Sequence, residues 1–319
     1  MRLLVLGLST LFQRRVLPAL QNIGGLERID VASRRGAVGW QRPDWLVGDT
    51  YDQYDEALQS SEADVVYVSL VNSEHGLWAR AALERGFHVV VDKPAFLGLE
   101  ETERALDLAA KRAVCLAEAT VWAYHPQIAL MKRIFHESGS EPLRVSLTFS
   151  VPPLDPGNFR YCRSLGGGSL WDQGPYAVSV GRVFFGTTPE AIDSRVLSTG
   201  GEETVDTAFS VLAAYPGGRS VVGSFGFDTA YRNHIDILSA ELAVEADRVL
   251  TIPADVENEI RLSGPAGTEL KKAPAANPFR PFFERVFEAV QTRDWQDLSN
   301  DLLSDARGLQ RLRDAAGVV

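Results

Sequence analysis

A lysine that closes an apolar run, and a carboxylate and a phenol four positions apart, are the groups in this 319-residue chain best suited to moving protons. Lys93 stands in Val90-Val91-Asp92-Lys93-Pro94, directly after the β-type run 87–91. A side chain at the carboxyl end of a parallel strand faces the crevice in which α/β sheets bind ligands. Pro94 biases Lys93 away from helical backbone and helps fix its direction. The competing reading is a solvated loop lysine. Asp172 and Tyr176 lie in Gly166-Gly167-Gly168-Ser169-Leu170-Trp171-Asp172-Gln173-Gly174-Pro175-Tyr176. Consecutive glycines let backbone approach a ligand or a strand closely, and Pro175 suits the first turn of a helix. A phenol of pKa ~10 keeps its proton at neutral pH. A nearby ammonium stabilises phenolate, so Tyr176 beside Lys93 would be able to protonate a developing alkoxide. The competing reading is that Asp172 caps the helix and Tyr176 packs in the core.

The elements that must position these groups fall into two patterns. Over the first ~120 residues, strand-like runs at 2–7, 28–32, 65–71, 87–91 and 114–117 alternate with helical spacing at 12–23, 77–85 and 99–111. Continuous apolar runs such as Leu3-Leu4-Val5-Leu6 fit strands buried on both faces. This is the spacing of a doubly wound parallel sheet, a Rossmann-type α/β domain. From about residue 143, strand-like runs follow one another at 143–151, 204–214, 220–227, 234–238 and 241–245. Short turns such as Tyr215-Pro216-Gly217-Gly218 join such runs, which predicts an antiparallel sheet. Helices are expected at 174–185, 281–290 and 302–315. The expected organisation is a parallel nucleotide-type domain over 1–120 and an α+β domain over 121–319.

The turn after the first strand reads Gly7-Leu8-Ser9-Thr10-Leu11-Phe12. A dinucleotide fingerprint has glycine where this chain has Ser9 and Phe12, so only Gly7 remains for the tight turn. Backbone amides at the helix start still suit a pyrophosphate, and the Ser9 and Thr10 hydroxyls are candidate added donors. The second strand ends in Ser33-Arg34-Arg35, where an NAD site has an acid for the ribose hydroxyl and an NADP site has an arginine. Either this is an exposed basic turn, or it receives a phosphate, which favours NADP(H) and leaves NAD(H) possible. Asn72 and His75 follow the third strand and face the same sheet edge as Lys93; for His75, helix capping is the alternative. The candidate cofactor set is Gly7, Ser9, Thr10, Leu11, Ser33, Arg34, Arg35, Leu70, Asn72, His75, Asp92 and Lys93.

A net charge of −10 argues against non-specific binding to nucleic acid or anionic lipid. No apolar run approaches the ~18 residues of a membrane span. The apolar start is broken by Phe12-Gln13-Arg14-Arg15 and reads as a strand rather than a leader. Two cysteines, Cys115 and Cys162, make no disulfide framework, which makes a reducing cytoplasm the expected location. No metal site is expected.

Taken in order, Val5-Leu6-Gly7, Asn72-Ser73-Glu74-His75, Gly86 through Pro94, Glu118-Ala119, Tyr124-His125-Pro126-Gln127 and Gly166 through Tyr176 resemble the Gfo/Idh/MocA (glucose–fructose oxidoreductase / inositol dehydrogenase) family of NAD(P)-dependent oxidoreductases. The resemblance spans nearly the whole chain. It implies a Rossmann domain followed by a domain with a large open sheet, often used for oligomerisation into dimers or tetramers. It also implies hydride transfer at a carbon of a sugar, cyclitol or related polyol. Lys93 then takes the place of the catalytic lysine, Asp172 of a substrate-site residue, and Tyr176 of the acid–base group. Departures are Asp92 where glutamate is commoner, Ala123 where arginine is frequent, and the glycine turn. Tyr176, with the segment from Pro152 to Tyr161, resembles the branch that reduces keto-sugars, including nucleotide-linked deoxysugars. In that reading Arg160 pairs with a diphosphate and Tyr161 stacks on a base or sugar, with Trp122 and Asp172 completing the substrate set. An ordinary structured loop with a surface arginine is the alternative. Two other functions remain open: a non-catalytic ligand sensor or structural partner with a degenerate cofactor turn, and reduction of a small diol or imine.

Overall fold

The computed structural model describes residues 1–36, 40 and 42–318. The described residues form two compact units, Met1–Ala119 with Phe279–Leu303, and Thr120–Pro278 with Ser304–Val319.

In the first unit six parallel strands have the order β3-β2-β1-β4-β5-β6. They are β1 (Arg2–Leu6), β2 (Arg28–Ala32), β3 (Thr50–Tyr51), β4 (Val65–Val68), β5 (His88–Val91) and β6 (Leu116–Glu118). The order of connection reverses between β1 and β4, the switch point at which such sheets bind ligands. All four residues of β4 are buried, as its unbroken Val-Val-Tyr-Val requires. The helices are α1 (Leu17–Leu20), α2 (Tyr54–Ser60), α3 (Asn72–Glu84) and α4 (Leu99–Arg112). The single helix expected over 12–23 is instead a π-type turn, Phe12–Val16, running into α1. Helix α3 begins at Asn72, five residues before the expected 77, with Val71 extended as its N-cap. Strand β3 and helix α2 went unread because two residues carry no alternation and α2 opens with Asp55 and Glu56.

The second unit is built on eight strands in the order β14-β13-β12-β11-β7-β10-β9-β8. These are β7 (Arg144–Ser150), β8 (Ala191–Gly200), β9 (Val205–Tyr215), β10 (Arg219–Gly226), β11 (Arg232–Leu238), β12 (Ala243–Asp247), β13 (Asn258–Gly264) and β14 (Gly267–Ala273). The sheet is antiparallel except where β10 runs parallel to β7. One face carries α5 (Pro126–Ser138), α6 (Ser169–Asp172) and α7 (Gly174–Phe185), whose apolar side chains join Val145, Leu147, Phe209, Val221 and Ile235 in one core. Helix α5 has Pro126 in its first turn and the His125 ring accepting from the Gln127 amide, a start signal that the apolar spacing alone did not reveal.

The first break between the units falls between Ala119 and Thr120, but the stretch expected as one domain over 121–319 does not all lie in the second unit. The chain returns to the first unit with α8 (Phe279–Thr292) and the opening of α9 (Gln296–Ala316). Phe282 and Phe283 are fully buried there, Phe283 stands edge-on to Tyr67 of β4 at 5.4 Å, and Trp295 meets His88 of β5. Burying each phenylalanine contributes about 1.5–3 kcal/mol, and this segment covers a sheet face that 1–119 leaves open.

Candidate active site

In the first unit the candidate residues gather at the carboxyl ends of β1, β2, β4 and β5. Gly7 has φ +109°, and a Cβ there would lie 2.2 Å from the Ser69 carbonyl oxygen and 2.8 Å from the Leu70 side chain, so the turn admits only glycine. Ser9 does not offer its hydroxyl outward. Its Oγ accepts from the Phe12 amide (2.9 Å) and lies 2.7 Å from Ser69 Oγ. Ser69 in turn donates to Asp92 Oδ2 (2.7 Å), and the Tyr67 hydroxyl donates to Asp92 Oδ1. Since the Ser69 proton goes to Asp92, the Ser9 proton goes to Ser69. The expectation that Ser9 donates to a phosphate is therefore corrected: its proton is consumed inside the fold. Thr10 and Leu11 are exposed on the turn, and Phe12, at the third glycine position, is fully buried.

Asp92 is buried, and burial pushes its carboxyl above the usual carboxylate range against the opposing pull of Tyr67, His75, Ser69 and Lys93. Its side chain serves this network, so the cofactor role expected for Asp92 is replaced by an internal one. Lys93 is half-buried, joined to Pro94 by a cis peptide. The segment after it is held from two sides, by His75 Nδ1 against the Pro94 carbonyl (2.8 Å) and by Glu118 Oε2, which accepts from the Ala95 amide (2.8 Å). The other His75 nitrogen faces the Leu70 carbonyl at 3.1 Å, and the ring is 1% exposed. His75 is thus turned into the fold, where it clamps the Lys93 segment. Asn72 is buried at the first position of α3.

At the end of β2, Ser33 is buried, with its amide bonded to the Tyr51 carbonyl, while Arg34 and Arg35 are exposed. The Arg34 guanidinium lies over the rings of Tyr54 (4.7 Å) and Trp78 (5.0 Å) and 3.4 Å from Glu74 Oε2. Two aromatic faces fix the cation without neutralising it. The tight glycine turn and this held guanidinium fit the pyrophosphate and the 2′-phosphate of NADP(H) respectively.

In the second unit Arg160, Asp172 and Tyr176 are brought together. Arg160 Nε pairs with Asp172 Oδ2 at 2.9 Å, and its guanidinium stacks on Phe159 at 4.7 Å. Asp172, with a smaller contribution from Tyr176, holds the Arg160 guanidinium above its ordinary value. Arg160 is thus engaged through its Nε with Asp172 and through its guanidinium plane with Phe159. Asp172 ends α6, Gln173 intervenes, and Tyr176 sits in the first turn of α7 with its ring edge-on to Phe149 at 5.4 Å. The glycine run meets the chain itself, not a ligand. The Gly167 and Gly168 amides donate to the Cys162 and Arg160 carbonyls at 2.9 Å, and a Cβ on Gly167 would lie 2.6 Å from both oxygens.

One further expectation changes, at Trp122. Trp122 is 1% exposed and its indole donates to Ser179 Oγ at 3.0 Å, so it is a core residue and not a substrate contact. The Tyr161 hydroxyl accepts from the Leu154 amide (3.1 Å) and its ring meets Phe227 edge-on, contacts that tie its own loop down. Sequence reasoning missed Asp206. Its Oδ2 accepts from Ser169 Oγ (2.7 Å) and the Leu170 amide (2.6 Å), capping the turn that ends in Asp172. Behind that turn the Arg313 guanidinium lies 3.7 Å from the Trp171 ring centre. No local motif marks Asp206, which lies 37 residues after Ser169. Among the described residues, no cluster of His, Cys, Asp and Glu is arranged to hold a metal ion.

A parallel sheet in the order 3-2-1-4-5-6, a glycine turn at its switch point and a second unit carrying a phenol beside an ion pair define a two-domain dinucleotide oxidoreductase. The profile of the oxidoreductase family with an NAD-binding Rossmann fold, GFO_IDH_MocA, matches residues 1–120, and that of the GFO/IDH/MocA C-terminal domain matches residues 139–246. The chain belongs to the Gfo/Idh/MocA family. It is 27% identical to a dTDP-3,4-didehydro-2,6-dideoxy-alpha-D-glucose 3-reductase of Actinomadura kijaniata, over 98% of this chain and 94% of the relative. It is 30% identical to the enzyme of that name from Streptomyces violaceoruber, over 91% and 85% of the two chains. The crystal structure of a 3-ketoreductase from Actinomadura kijaniata with NADP and TDP-benzene superimposes with a TM-score of 0.92 at 26% identity, covering 99% of this chain and 98% of that one.

Proposed function

We propose that this chain is an NADP(H)-dependent ketoreductase that acts on a keto-sugar, of the nucleotide-linked deoxysugar class. The observation that carries the reading is the Arg160–Asp172 ion pair set beside Tyr176. Similarity across nearly the whole chain to 3-ketoreductases of dTDP-sugars supports it. When held there, NADPH would supply the hydride for the carbonyl carbon. The protein's residues supply the rest. Gly7 keeps the turn tight enough for a pyrophosphate to meet helix-start amides. Tyr176 holds a proton on its phenolic oxygen and releases it to the alkoxide oxygen; the Arg160 guanidinium stabilises the phenolate left behind. Asp172, held by Arg160, accepts from sugar hydroxyls. Lys93, fixed through His75 and Glu118, presents a cation that lowers the cost of developing negative charge.

This reading places the enzyme in the cytoplasm as a homo-oligomer that uses the open face of the eight-stranded sheet. Support comes from Leu212 of β9 and Val222 of β10, paired neighbours that are each 48% exposed. Lys93→Met tests the chemistry. With a dTDP-keto-deoxysugar, turnover is expected to fall about a hundred- to a thousandfold, the scale of a lost electrostatic stabiliser, with NADPH affinity nearly unchanged. Near-normal turnover removes Lys93 from the mechanism.

A further inference from the structure

Glu74, in the first turn of α3, is the one carboxylate that a described ion pair sets against Arg34. Its Oε2 lies 3.4 Å from Arg34 Nη1 and accepts from the Trp78 indole at 2.9 Å. The tether matters, because Trp78 is only 9% exposed and cannot follow the carboxylate if it swings away. Arg34 needs no carboxylate to hold its place, since the Tyr54 and Trp78 rings already hold its guanidinium. Glu74 therefore contributes charge more than position: it is an internal anion stationed where a 2′-phosphate would pair. The acid that NAD sites place at the end of the second strand is absent here, where the residue is Ser33.

We infer that Glu74 sets the balance between NADP(H) and NAD(H) by competing with the 2′-phosphate for the Arg34 guanidinium. This rests on the proposed use of NADP(H). An incoming phosphate must displace Glu74 from Arg34 or share the cation with it, at a cost in affinity. A ribose with a plain 2′-hydroxyl leaves the Arg34–Glu74 pair intact. Glu74 thus moderates the preference for NADP(H) that Arg34 creates, and it is a specificity-determining residue without being a catalytic one.

The test is a fluorescence titration of the full chain with NADPH and with NADH, repeated with 2′,5′-ADP and 5′-AMP as competitors that lack the nicotinamide end. Glu74→Gln keeps a side-chain carbonyl for the Trp78 indole and removes only the charge. In E74Q, NADPH and 2′,5′-ADP should bind about tenfold tighter, the scale of one charge-assisted hydrogen bond, while NADH and 5′-AMP change less than about twofold. In an R34A background the gain from E74Q should shrink. Weaker NADPH binding in E74Q, or no change, overturns the inference, because Glu74 would then position Arg34 or do nothing. A gain that persists in full in R34A also overturns it, since the effect would not pass through Arg34. A wild-type chain that binds neither nucleotide overturns the NADP(H) reading itself, and this inference with it.

Discussion

Replacing Tyr67 with phenylalanine isolates one hydrogen bond in the network beneath Lys93. The Tyr67 ring is fully buried and stands edge-on to Phe283, so the phenyl ring of the variant keeps that packing and opens no large cavity. What is lost is the hydroxyl that donates to Asp92 Oδ1, while the Ser69 hydroxyl still donates to Oδ2. A hydrogen bond to an ionised group contributes ~1.5–3 kcal/mol. For a unit of this size, about 2 kcal/mol corresponds to a fall of roughly 6 °C in the melting transition of the first unit. The pH dependence gives a sharper signature. Burial raises the Asp92 carboxyl above its ordinary 3.8, so its contribution to stability is most favourable below 3.8 and is lost as pH rises through the folded-state value. The Tyr67 hydroxyl opposes that rise by favouring the carboxylate, so Tyr67→Phe lifts the carboxyl further. The penalty is then largest on the alkaline side of the Asp92 titration and shrinks as acid protonates the carboxyl. Denaturant melts of wild type and variant at neutral and mildly acidic pH, followed by first-unit tryptophan fluorescence, measure both effects. An equal penalty at the two pH values would refute the argument that the bond is made to an ionised Asp92.

Two further substitutions probe the turns that carry the site. Gly7→Ala forces a Cβ to 2.2 Å from the Ser69 carbonyl at φ +109°, so NADPH affinity should fall more than about tenfold, given a backbone cost above ~1–2 kcal/mol; normal affinity and melting would show that the tight turn is dispensable. Asp206→Asn exchanges a charged acceptor for a neutral one at the turn ending in Asp172, and should lower stability by about 1 kcal/mol. It should also reduce kcat while leaving NADPH affinity unchanged; unchanged kcat would confine Asp206 to folding.

The parallel sheet was legible because its strands are unbroken apolar runs, Leu3 to Leu6 and Val65 to Val68, separated by helical spacing. Strands β13 and β14 were not, because Glu259, Arg261, Lys271 and Lys272 dilute their alternation. The chemistry-bearing types were legible at Lys93, Asp172 and Tyr176, yet their partners were not. The inward hydroxyl of Ser9 depends on Ser69, 60 residues away, and the burial of Trp122 depends on Ser179, 57 residues away. Arg160 and Asp172 are both visible as candidates, but nothing local says that each is the other's counterion. Long-range pairing decides whether a polar side chain faces a ligand or the protein, and no spacing rule encodes it.

The return of α8 to the first unit bears on any attempt to recombine halves between relatives. A chimera cut near residue 120 would separate Tyr67 from Phe283, splitting a ring contact that this chain makes within its first unit. Grafts of the cofactor module should therefore carry two stretches of chain, Met1–Ala119 and Phe279–Leu303, as one heritable piece.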